Sequence, residues 1–418
     1  MSLPVPMGTQ DLPICVPPIR ADISTPSIHK DIETSGGDAS TNGNSSDYIY
    51  LDDILIMHHS REELTLLIPL VCQFLQALGL IVNLEKSQLT PKQEIEFLGF
   101  LVNSASFHLA FPPEKMRKIQ QDARTLIQCQ SVSIRDLARF VGKVSASTKA
   151  IWQAPLHCRA LQTMINSVNE EDHSLVSRVS RFNVNLQLTT QAMRDLHWWI
   201  ALDRGSLMVS TLLPRTPDLI TESDASNMGW GARQGEIRTG GQWSRTESSN
   251  HINHLELLAA FLAFQCFTKE KSNLTIQLKL DNITAVSYIN RMDGTHSQPL
   301  CNLSIAIWDR SLQQGIYLIV EHLPGKQNVV ADEESRTVRD RCDWMLNPNI
   351  FNRIQSQMGP CKIDLFASRL TQQLPRYYSW RPDPEAEGTD TFSQDWSTSK
   401  GYANLPWCLI PRCLSQMK

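Results

Sequence analysis

Hydrophobic and polar residues repeat with different periods along this chain, and these periods predict its elements. In residues 48–57, two short apolar runs flank a pair of acids, the pattern of a β-hairpin with the acids at its tip. Residues 62–80 repeat apolar side chains every three or four positions, which predicts a helix that ends at Gly79. Residues 111–204 predict several more helices.

Beyond Pro214 the pattern changes to strands that alternate with helices. The predicted strands are 219–223, 229–233, 241–244, 274–280 and 316–321, and the predicted helices are 252–267, 283–290, 303–314 and 329–336. This order predicts one α/β domain over 215–340. The tail, 341–418, is rich in Pro, Trp and Tyr without a clear period, and predicts a partial module.

The first 46 residues contain six prolines, followed by a run over 35–46 that is rich in Ser, Gly, Asn and Thr. This run has no apolar period. These residue types favour turns over regular structure, so we expect a disordered leader over 1–46.

Composition limits the classes of protein that this chain can belong to. Hydrophobic residues make up 41% of the 418 residues, which excludes general disorder. The ten cysteines include no C-x-x-C pair, so we expect reduced core thiols rather than a zinc knuckle or a disulfide framework. There is no signal peptide pattern and no apolar stretch of membrane-spanning length, which predicts an intracellular protein without a membrane partner. Nucleus, cytoplasm and oligomeric state stay open.

A formal net charge of −4 means that any polyanion must be bound locally. Residues 111–160 carry nine basic side chains against three acidic ones. They form either a solvated helical face or a surface that follows phosphates, and the neighbouring hairpin favours the second interpretation. The candidate nucleic-acid contacts are Lys86, Lys115, Lys118, Arg124, Arg135, Arg139 and Lys143.

Four acids of the predicted α/β domain lie at strand ends or on helices that face one crevice. They are Asp224, Glu256, Asp281 and Asp332. Carboxylates that converge repel each other unless cations neutralise them, and all-oxygen ligands suit Mg²⁺ or Mn²⁺. Two such ions about 4 Å apart would support hydrolysis of a phosphodiester.

Around these acids the sequence resembles the ribonuclease H domain of retroelement polyproteins. The matching motifs are Ser223-Asp224-Ala225-Ser226, Gly229-Trp230-Gly231, His254-Leu255-Glu256-Leu257, Leu280-Asp281-Asn282 and the segment from His322 to Asp332. The resemblance implies a mixed five-stranded sheet and cleavage of the RNA strand of RNA/DNA hybrids. It also implies two Mg²⁺ ions on the four acids, a proton-transfer or product-release role for His322, and contact between Glu256 and the 2′-hydroxyl region.

One position departs from this family. Its members usually have a leucine before Ser-Arg, whereas this chain has Glu333-Glu334 before Ser335. We expect both glutamates on the helix surface, where two negative charges beside a metal ligand change metal affinity.

Upstream, Tyr50-Leu51-Asp52-Asp53 resembles the palm hairpin of reverse transcriptases. Asn83-Leu84-Glu85-Lys86-Ser87 and Phe97-Leu98-Gly99-Phe100 resemble the family's next palm element and its primer-gripping hairpin. The resemblance covers roughly residues 47–210. It implies a partial palm over 47–110 and a helical thumb and connection over 111–214, and hence an α/β multi-domain chain.

The palm resemblance also implies a missing part. In the family a further metal-binding acid lies on an earlier palm strand, and no acid of residues 1–46 has a strand-like apolar context. We therefore expect that the chain cannot polymerise DNA.

The tail resembles the segment that follows ribonuclease H in DIRS-like, tyrosine-recombinase-bearing retroelements, which is similar to adenine-N6 DNA methyltransferases. Asn404-Leu405-Pro406-Trp407 lacks the first proline of the methyltransferase motif, so we expect a packed remnant over 341–418 without methylation. Two alternatives to an active hydrolase stay open: a non-catalytic nucleic-acid-binding relic, and a chain in which 215–340 alone folds.

Overall fold

The computed structural model describes residues 14–22, 45–50, 53–129, 131–171, 182–202, 209–212, 214–292, 297–337, 344–397 and 399–417. The chain divides into two compact units, Met1–Pro214 and Arg215–Lys418. Among the described residues, none of the helices is both long enough and apolar enough to cross a membrane.

A four-stranded sheet begins the first unit, with strand order β2-β3-β1-β4. Its strands are β1 (Ile14–Asp22), β2 (Ser45–Tyr50), β3 (Asp53–His58) and β4 (Ile81–Val82). Strands β2 and β3 pair antiparallel with Tyr50 opposite Asp53, so the predicted hairpin is present. Helix α1 (Arg61–Ala77) follows, and Ser60 caps its first turn by accepting a hydrogen bond from the Glu63 amide.

Strand β1 corrects the expectation of a disordered leader over residues 1–46. It lies between β3 and β4 and pairs antiparallel with both. The Pro17-Pro18 pair argued against a strand, because proline donates no ladder hydrogen bond. The register shifts between Val16 and Ile19, so the prolines occupy a bulge in the strand.

A second sheet of the first unit has the order β10-β7-β6-β5. Its strands are β5 (Glu94–Phe97), β6 (Phe100–Asn103), β7 (His108–Ala110) and β10 (Val209–Thr211), and β8 (Val132–Ser133) pairs separately with β9 (Asn185–Leu186). Leu98 and Gly99 form the β5–β6 turn with φ values of 47° and 80°. Glycine adopts that left-handed backbone without strain.

Helices complete the first unit. They are α2 (Pro113–Gln128), α3 (Ile134–Ala146), α4 (Arg159–Glu171) and α5 (Thr190–Ala201). Their apolar faces meet in one core that contains Leu137, Phe140, Leu161 and Trp199. The indole of Trp199 donates to the His157 carbonyl at 2.7 Å, which satisfies its buried N–H.

The second unit begins with a five-stranded sheet of mixed direction, in the order β13-β12-β11-β14-β15. The strands are β11 (Leu219–Ala225), β12 (Gly229–Gln234), β13 (Ile237–Gln242), β14 (Thr275–Leu280) and β15 (Tyr317–His322). β11, β14 and β15 are parallel, so their carboxyl ends lie at one edge of the sheet. The third strand begins earlier than the predicted 241–244, because Gly235, at a φ of 60°, closes a tight turn after β12.

Helices lie on the faces of this sheet. They are α6 (Ile252–Thr268), α7 (Ile283–Asn290), α8 (Gln298–Gln313) and α9 (Val329–Arg336). Trp230 and Ala232 of β12 pack with Leu255 and Ala259 of α6. The intervening Gly231 points the opposite way, toward α9, because alternate residues of a strand face opposite sides.

The last part of the second unit, residues 344–417, is called the C-terminal segment below. It contains α10 (Pro348–Met358), α11 (Ile410–Gln416) and the short strands β16 (Ile363–Asp364), β17 (Tyr378–Ser379), β18 (Gly388–Thr389) and β19 (Gly401–Tyr402). Ile363, Leu365 and Tyr378 form a small buried cluster.

The cysteines do not all lie in the core. Cys158, Cys301 and Cys413 are buried, whereas Cys129 and Cys408 are exposed.

Candidate active site

Three of the four predicted acids meet at the carboxyl edge of the five-stranded sheet. Asp224 is near the end of β11, Asp281 directly follows β14, and Glu256 projects from α6. One carboxylate oxygen of each lies within 4.8 Å of one oxygen of the other two. Asp224 and Glu256 are buried and Asp281 is half-buried. The fold therefore places three carboxylates from distant parts of the chain around one point.

The fourth acid, Asp332, lies beside this cluster on α9 but outside the group of three. Its side chain is 41% exposed, and its carboxylate accepts hydrogen bonds from the Arg336 guanidinium at 2.6 and 2.8 Å. Its negative charge nevertheless contributes to raising the pKa values of the other three acids. Asp332 is thus close enough to act on the cluster, while its side chain pairs with an arginine one turn further along α9.

Burial and mutual repulsion raise the pKa values of the clustered acids. Burial is the main cause for all three; it raises the pKa of Asp224 to about 7 and that of Glu256 to about 9. The neighbouring carboxylates add to both shifts, and the pKa of Asp281 is also raised. Three acids that are each harder to ionise than usual form a site that stabilises a cation once their protons leave.

The donor set fits a hard divalent metal ion. All three groups offer oxygen, the ligand type of Mg²⁺ and Mn²⁺. The Oδ1 atom of Asp281 is buried and accepts no hydrogen bond from a described residue. A buried carboxylate oxygen without a donor is costly, and a metal ion would satisfy it.

Helix α9 is held against the acids by hydrogen bonds that the sequence motifs did not single out. The Ser335 hydroxyl donates to Asp224 at 2.7 Å, and the buried Asn328 amide donates to the Ser223 carbonyl at 2.9 Å. The Ser226 hydroxyl donates to the Ser335 carbonyl at 2.6 Å. A sequence signal existed for Ser335, which lies three residues after Asp332 and so on the same helix face.

Gly231 lets α9 approach the sheet. A Cβ atom at this position would lie 2.1 Å from the Ala331 carbonyl oxygen and 2.5 Å from the Ser335 nitrogen. Any other residue would push α9, and with it Asp332 and Ser335, away from Asp224.

The expectation that Glu333 and Glu334 both lie on the helix surface is wrong for Glu334. Glu333 is exposed and faces Arg238 at 3.7 Å. The Glu334 side chain is 1% exposed and faces Arg381 of the C-terminal segment at 3.5 Å. A buried carboxylate requires a partner, and this partner comes from outside the predicted ribonuclease H domain.

His322 lies at the rim of the site. It is the last residue of β15, is exposed, and its Nε2 atom is 3.1 Å from the Asp281 carbonyl oxygen. This places an ionisable imidazole next to the acids without burying it.

The palm hairpin is described in part. Asp52 lies outside the described residues. Asp53 begins β3 and is paired in register with Arg20 of β1, and Asp22 ends the same strand β1. The sequence reading that no upstream acid has a strand context is therefore wrong for Asp22.

Three of the predicted nucleic-acid contacts share a cleft of about 310 Å³ beside the β5–β6 turn: Lys115, Lys118 and Lys143. Lys115 pairs with Glu96 at 3.3 Å and Lys143 with Asp122 at 2.5 Å.

The other four predicted contacts lie outside this cleft. Lys86 and Arg124 are exposed, Arg135 lies over the Phe182 ring, and Arg139 pairs with Asp136 at 3.1 Å. The seven basic residues thus do not converge on one site.

Comparison with known proteins identifies the first unit most clearly. Residues 18–102 match the family model described as reverse transcriptase (RNA-dependent DNA polymerase). Protein P of duck hepatitis B virus (strain China) is 28% identical over 136 residues, which cover 31% of this chain and 16% of that protein. Protein P of heron hepatitis B virus is 23% identical over 128 residues, with the same coverage. The match spans about a sixth of the length of these curated relatives.

Two solved structures resemble the chain at low similarity. The foamy viral protease-reverse transcriptase in complex with RNA/DNA hybrid has 15% identity and a TM-score of 0.36, over 82% of this chain and 47% of that one. The ribonuclease H1 of the archaeon Halobacterium salinarum has 18% identity and a TM-score of 0.24, over 28% of this chain and 92% of that one. Residues 18–102 are thus similar to the reverse transcriptase family, and the chain is similar over part of its length to protein P of the duck and heron hepatitis B viruses.

Proposed function

We propose that the second unit hydrolyses the RNA strand of RNA/DNA hybrids, with two Mg²⁺ or Mn²⁺ ions bound to its four acids. One observation carries the proposal: carboxylates from β11, α6 and the end of β14 converge within 4.8 Å. The mixed sheet that positions them is the one that the ribonuclease H resemblance implies.

The four acids would hold the ions. Asp224, Glu256 and Asp281 would supply the converging oxygens, and Asp332 would join them if its carboxylate left Arg336. When bound, such ions lower the pKa of an attacking water and stabilise the leaving oxygen of the phosphodiester.

Other side chains orient the acids and move protons. The Ser335 hydrogen bond fixes the Asp224 carboxylate and partly offsets its raised pKa, which favours the ionised form that binds metal. His322 is exposed next to Asp281, so its imidazole can carry a proton between the site and solvent. Glu256 is the acid that we assign to the 2′-hydroxyl region, the chemical difference between RNA and DNA.

A second candidate, a nucleic-acid-binding relic without catalysis, is favoured by one observation. Asp332 faces Arg336 at 2.6 Å instead of joining the other three carboxylates. If that pair persists in the presence of metal and hybrid, the site lacks its fourth ligand.

Cleavage of a labelled RNA/DNA hybrid by the full chain separates these two functions. We expect Mg²⁺-dependent cutting of the RNA strand that is lost in Asp224→Asn and retained in Asp309→Asn. Asp309 is the matched control because it is an acid with a raised pKa on α8, outside the cluster. Hybrid binding without cleavage, insensitive to Mg²⁺ and to Asp224→Asn, would instead establish the relic.

The palm hairpin raises a separate question, since β1 places Asp22 in the strand next to the one that begins with Asp53. The expectation that the chain cannot polymerise stays a prediction. Template-directed incorporation of deoxynucleotides in a primer-extension assay, lost in Asp53→Asn, would overturn it.

We also propose a DIRS-like retroelement origin and an intracellular site of action. The origin is supported by the order of palm, thumb, ribonuclease H-like and tail motifs along the chain. A tyrosine-recombinase reading frame near the gene would support the origin, and microscopy of a tagged chain tests the compartment.

A further inference from the structure

The C-terminal segment is attached to the sheet at the side where α9 lies. The Arg369 guanidinium donates to both carboxylate oxygens of Glu247, at 2.6 and 3.1 Å, and to the Gln242 carbonyl at 3.3 Å. The buried Thr239 hydroxyl of β13 donates to the Pro382 carbonyl. These contacts fix the segment next to the edge strand β13.

From this position the segment reaches α9 itself. Arg381 Nη1 lies 3.5 Å from Glu334 Oε2, and their side chains are 13% and 1% exposed. Glu334 directly precedes Ser335, which donates to Asp224, and comes two residues after Asp332. Arg381 therefore acts on the helix that carries two groups of the acidic site, without touching the site.

The length of α9 makes this contact important. A helix of eight residues has little stability of its own, so packing determines where it lies. Gly231 permits its close approach on the sheet side, and Arg381 faces it on the segment side. Without the Arg381 charge, the buried Glu334 carboxylate would be less stable in its place, and its movement toward solvent would take the end of α9 with it.

We propose that the C-terminal segment completes the acidic site, and that Arg381 is a positioning residue that fixes α9, Asp332 and Ser335 through the buried Glu334 carboxylate. The proposal rests on the hydrolytic function proposed above. It gives a role to the tail that was expected to be a packed remnant.

The first test compares two arginines of the same segment in the full chain. Arg376 is the matched control, because it pairs with Glu387 on the surface at 2.6 Å and has no part in the α9 contact. We expect Arg381→Met to weaken Mn²⁺ binding about tenfold and to raise by a similar factor the Mn²⁺ concentration needed for half-maximal cleavage. We expect Arg376→Met to change neither.

Amide hydrogen exchange locates the effect. Exchange in residues 329–336 should become about tenfold faster in Arg381→Met, while exchange in α6 stays at the wild-type rate. Arg369→Met should instead speed exchange in the C-terminal segment before α9 responds, because its anchor is Glu247.

Removal of both charges provides the rescue. If Arg381 acts through Glu334, the double variant Glu334→Gln/Arg381→Met should recover most of the Mn²⁺ affinity, since the buried negative charge is removed together with the arginine that faces it. Arg381→Lys should lie between wild type and Arg381→Met. If Arg381→Met does not fold, Mn²⁺ affinity and exchange in residues 329–336 are compared instead between wild type, Arg381→Lys and the double variant.

Two results would overturn the proposal. One is wild-type exchange in residues 329–336 together with wild-type Mn²⁺ affinity in Arg381→Met. The other is a double variant Glu334→Gln/Arg381→Met whose fold-loss of Mn²⁺ affinity equals the product of the fold-losses of the two single variants. Failure of the hydrolytic function is distinguishable: the wild-type chain would then cut no hybrid, and exchange in α9 would still decide whether Arg381 positions it.

Discussion

The two acidic motifs of this chain are built in different ways. Asp52 and Asp53 are adjacent in sequence, so no tertiary contact is needed to bring them together. Three acids of the second unit come from two strands and a helix. Asp224 and Asp281 lie at the same edge of the sheet because β11 and β14 are parallel neighbours, and Glu256 of α6 joins them within 4.8 Å.

This contrast shows which motif is stronger evidence of function. An adjacent pair of acids costs the fold little and is common in turns. Three acids that bury one another raise their own pKa values and destabilise the metal-free protein. This cluster therefore lowers the stability of the metal-free fold, and a bound cation would offset that loss.

The largest expected effect tests whether the dispersed acids act as one site. Glu256→Gln should lower the rate of hybrid cleavage by on the order of 10³-fold, because it removes a buried ligand oxygen from the proposed metal site. Single-turnover cleavage with excess enzyme measures this rate. Asp309→Asn serves as the control. A Glu256→Gln cleavage rate within threefold of wild type would show that the acidic cluster does not take part in hydrolysis.

The pH dependence of stability tests whether burial of the clustered acids raises their pKa values. The pKa values of Asp224 and Glu256 are raised to about 7 and about 9, so the metal-free folded chain holds protons that the unfolded chain releases near pH 4. Their contribution to stability is therefore complete at low pH and is lost as pH rises through 7 and 9.

We expect the metal-free chain to become steadily less stable between pH 5 and pH 9, because the folded state holds these protons and the unfolded state does not. Urea unfolding in EDTA, followed by tryptophan fluorescence, measures the change. Glu256→Gln should flatten the upper part of the curve. A stability that is constant or rises over this range would contradict the raised pKa values.

A pair of glycines compares backbone packing in the two units. Gly231→Ala should cost about 2 kcal/mol, because its Cβ atom would overlap the Ala331 carbonyl oxygen of α9. Gly142→Ala, on helix α3 of the first unit, should stabilise by about 0.5 kcal/mol, because nothing lies within 4 Å of its Cβ position. The urea midpoints of the two variants should move in opposite directions. An increase in both midpoints would show that α9 moves away from β12 at little cost in stability.

The smallest expected effect concerns the orientation of Asp224. Ser335→Ala removes the hydrogen bond that stabilises the ionised carboxylate, at a cost of about 1 kcal/mol, and should weaken Mn²⁺ binding roughly fivefold. The loss should shrink above pH 8, where Asp224 is ionised without help. Serine at the exposed position 248 provides a control variant, Ser248→Ala, and an equal loss in both would mean that the hydrogen bond is immaterial.

In helix α1, the period of apolar residues was not enough to predict which face of the helix is buried. Leu66, Leu70 and Phe74 repeat every four residues and belong to the predicted apolar pattern, yet each is more than half exposed. Leu64 and Ile68, two residues away on the other face, are buried against the sheet. Because α1 is apolar on more than one face, its sequence predicted the helix but not the side that meets the core.

Local chemistry determined much of this protein. Alternation and helical period located the elements of the α/β domain, and the residue types of the four acids predicted an all-oxygen cation site. Both depend on interactions between near neighbours or on the nature of one side chain, so they can be deduced without a fold.

Contacts between distant residues were decided by the tertiary structure. The pairing of β1 with β3 across two prolines and the burial of Glu334 against Arg381 have no local signal. A glutamate is buried or exposed according to what packs over it, and here that partner lies 47 residues further along the chain. The physical reason is that burial and electrostatic pairing depend on separation in space, which the order of residues does not specify.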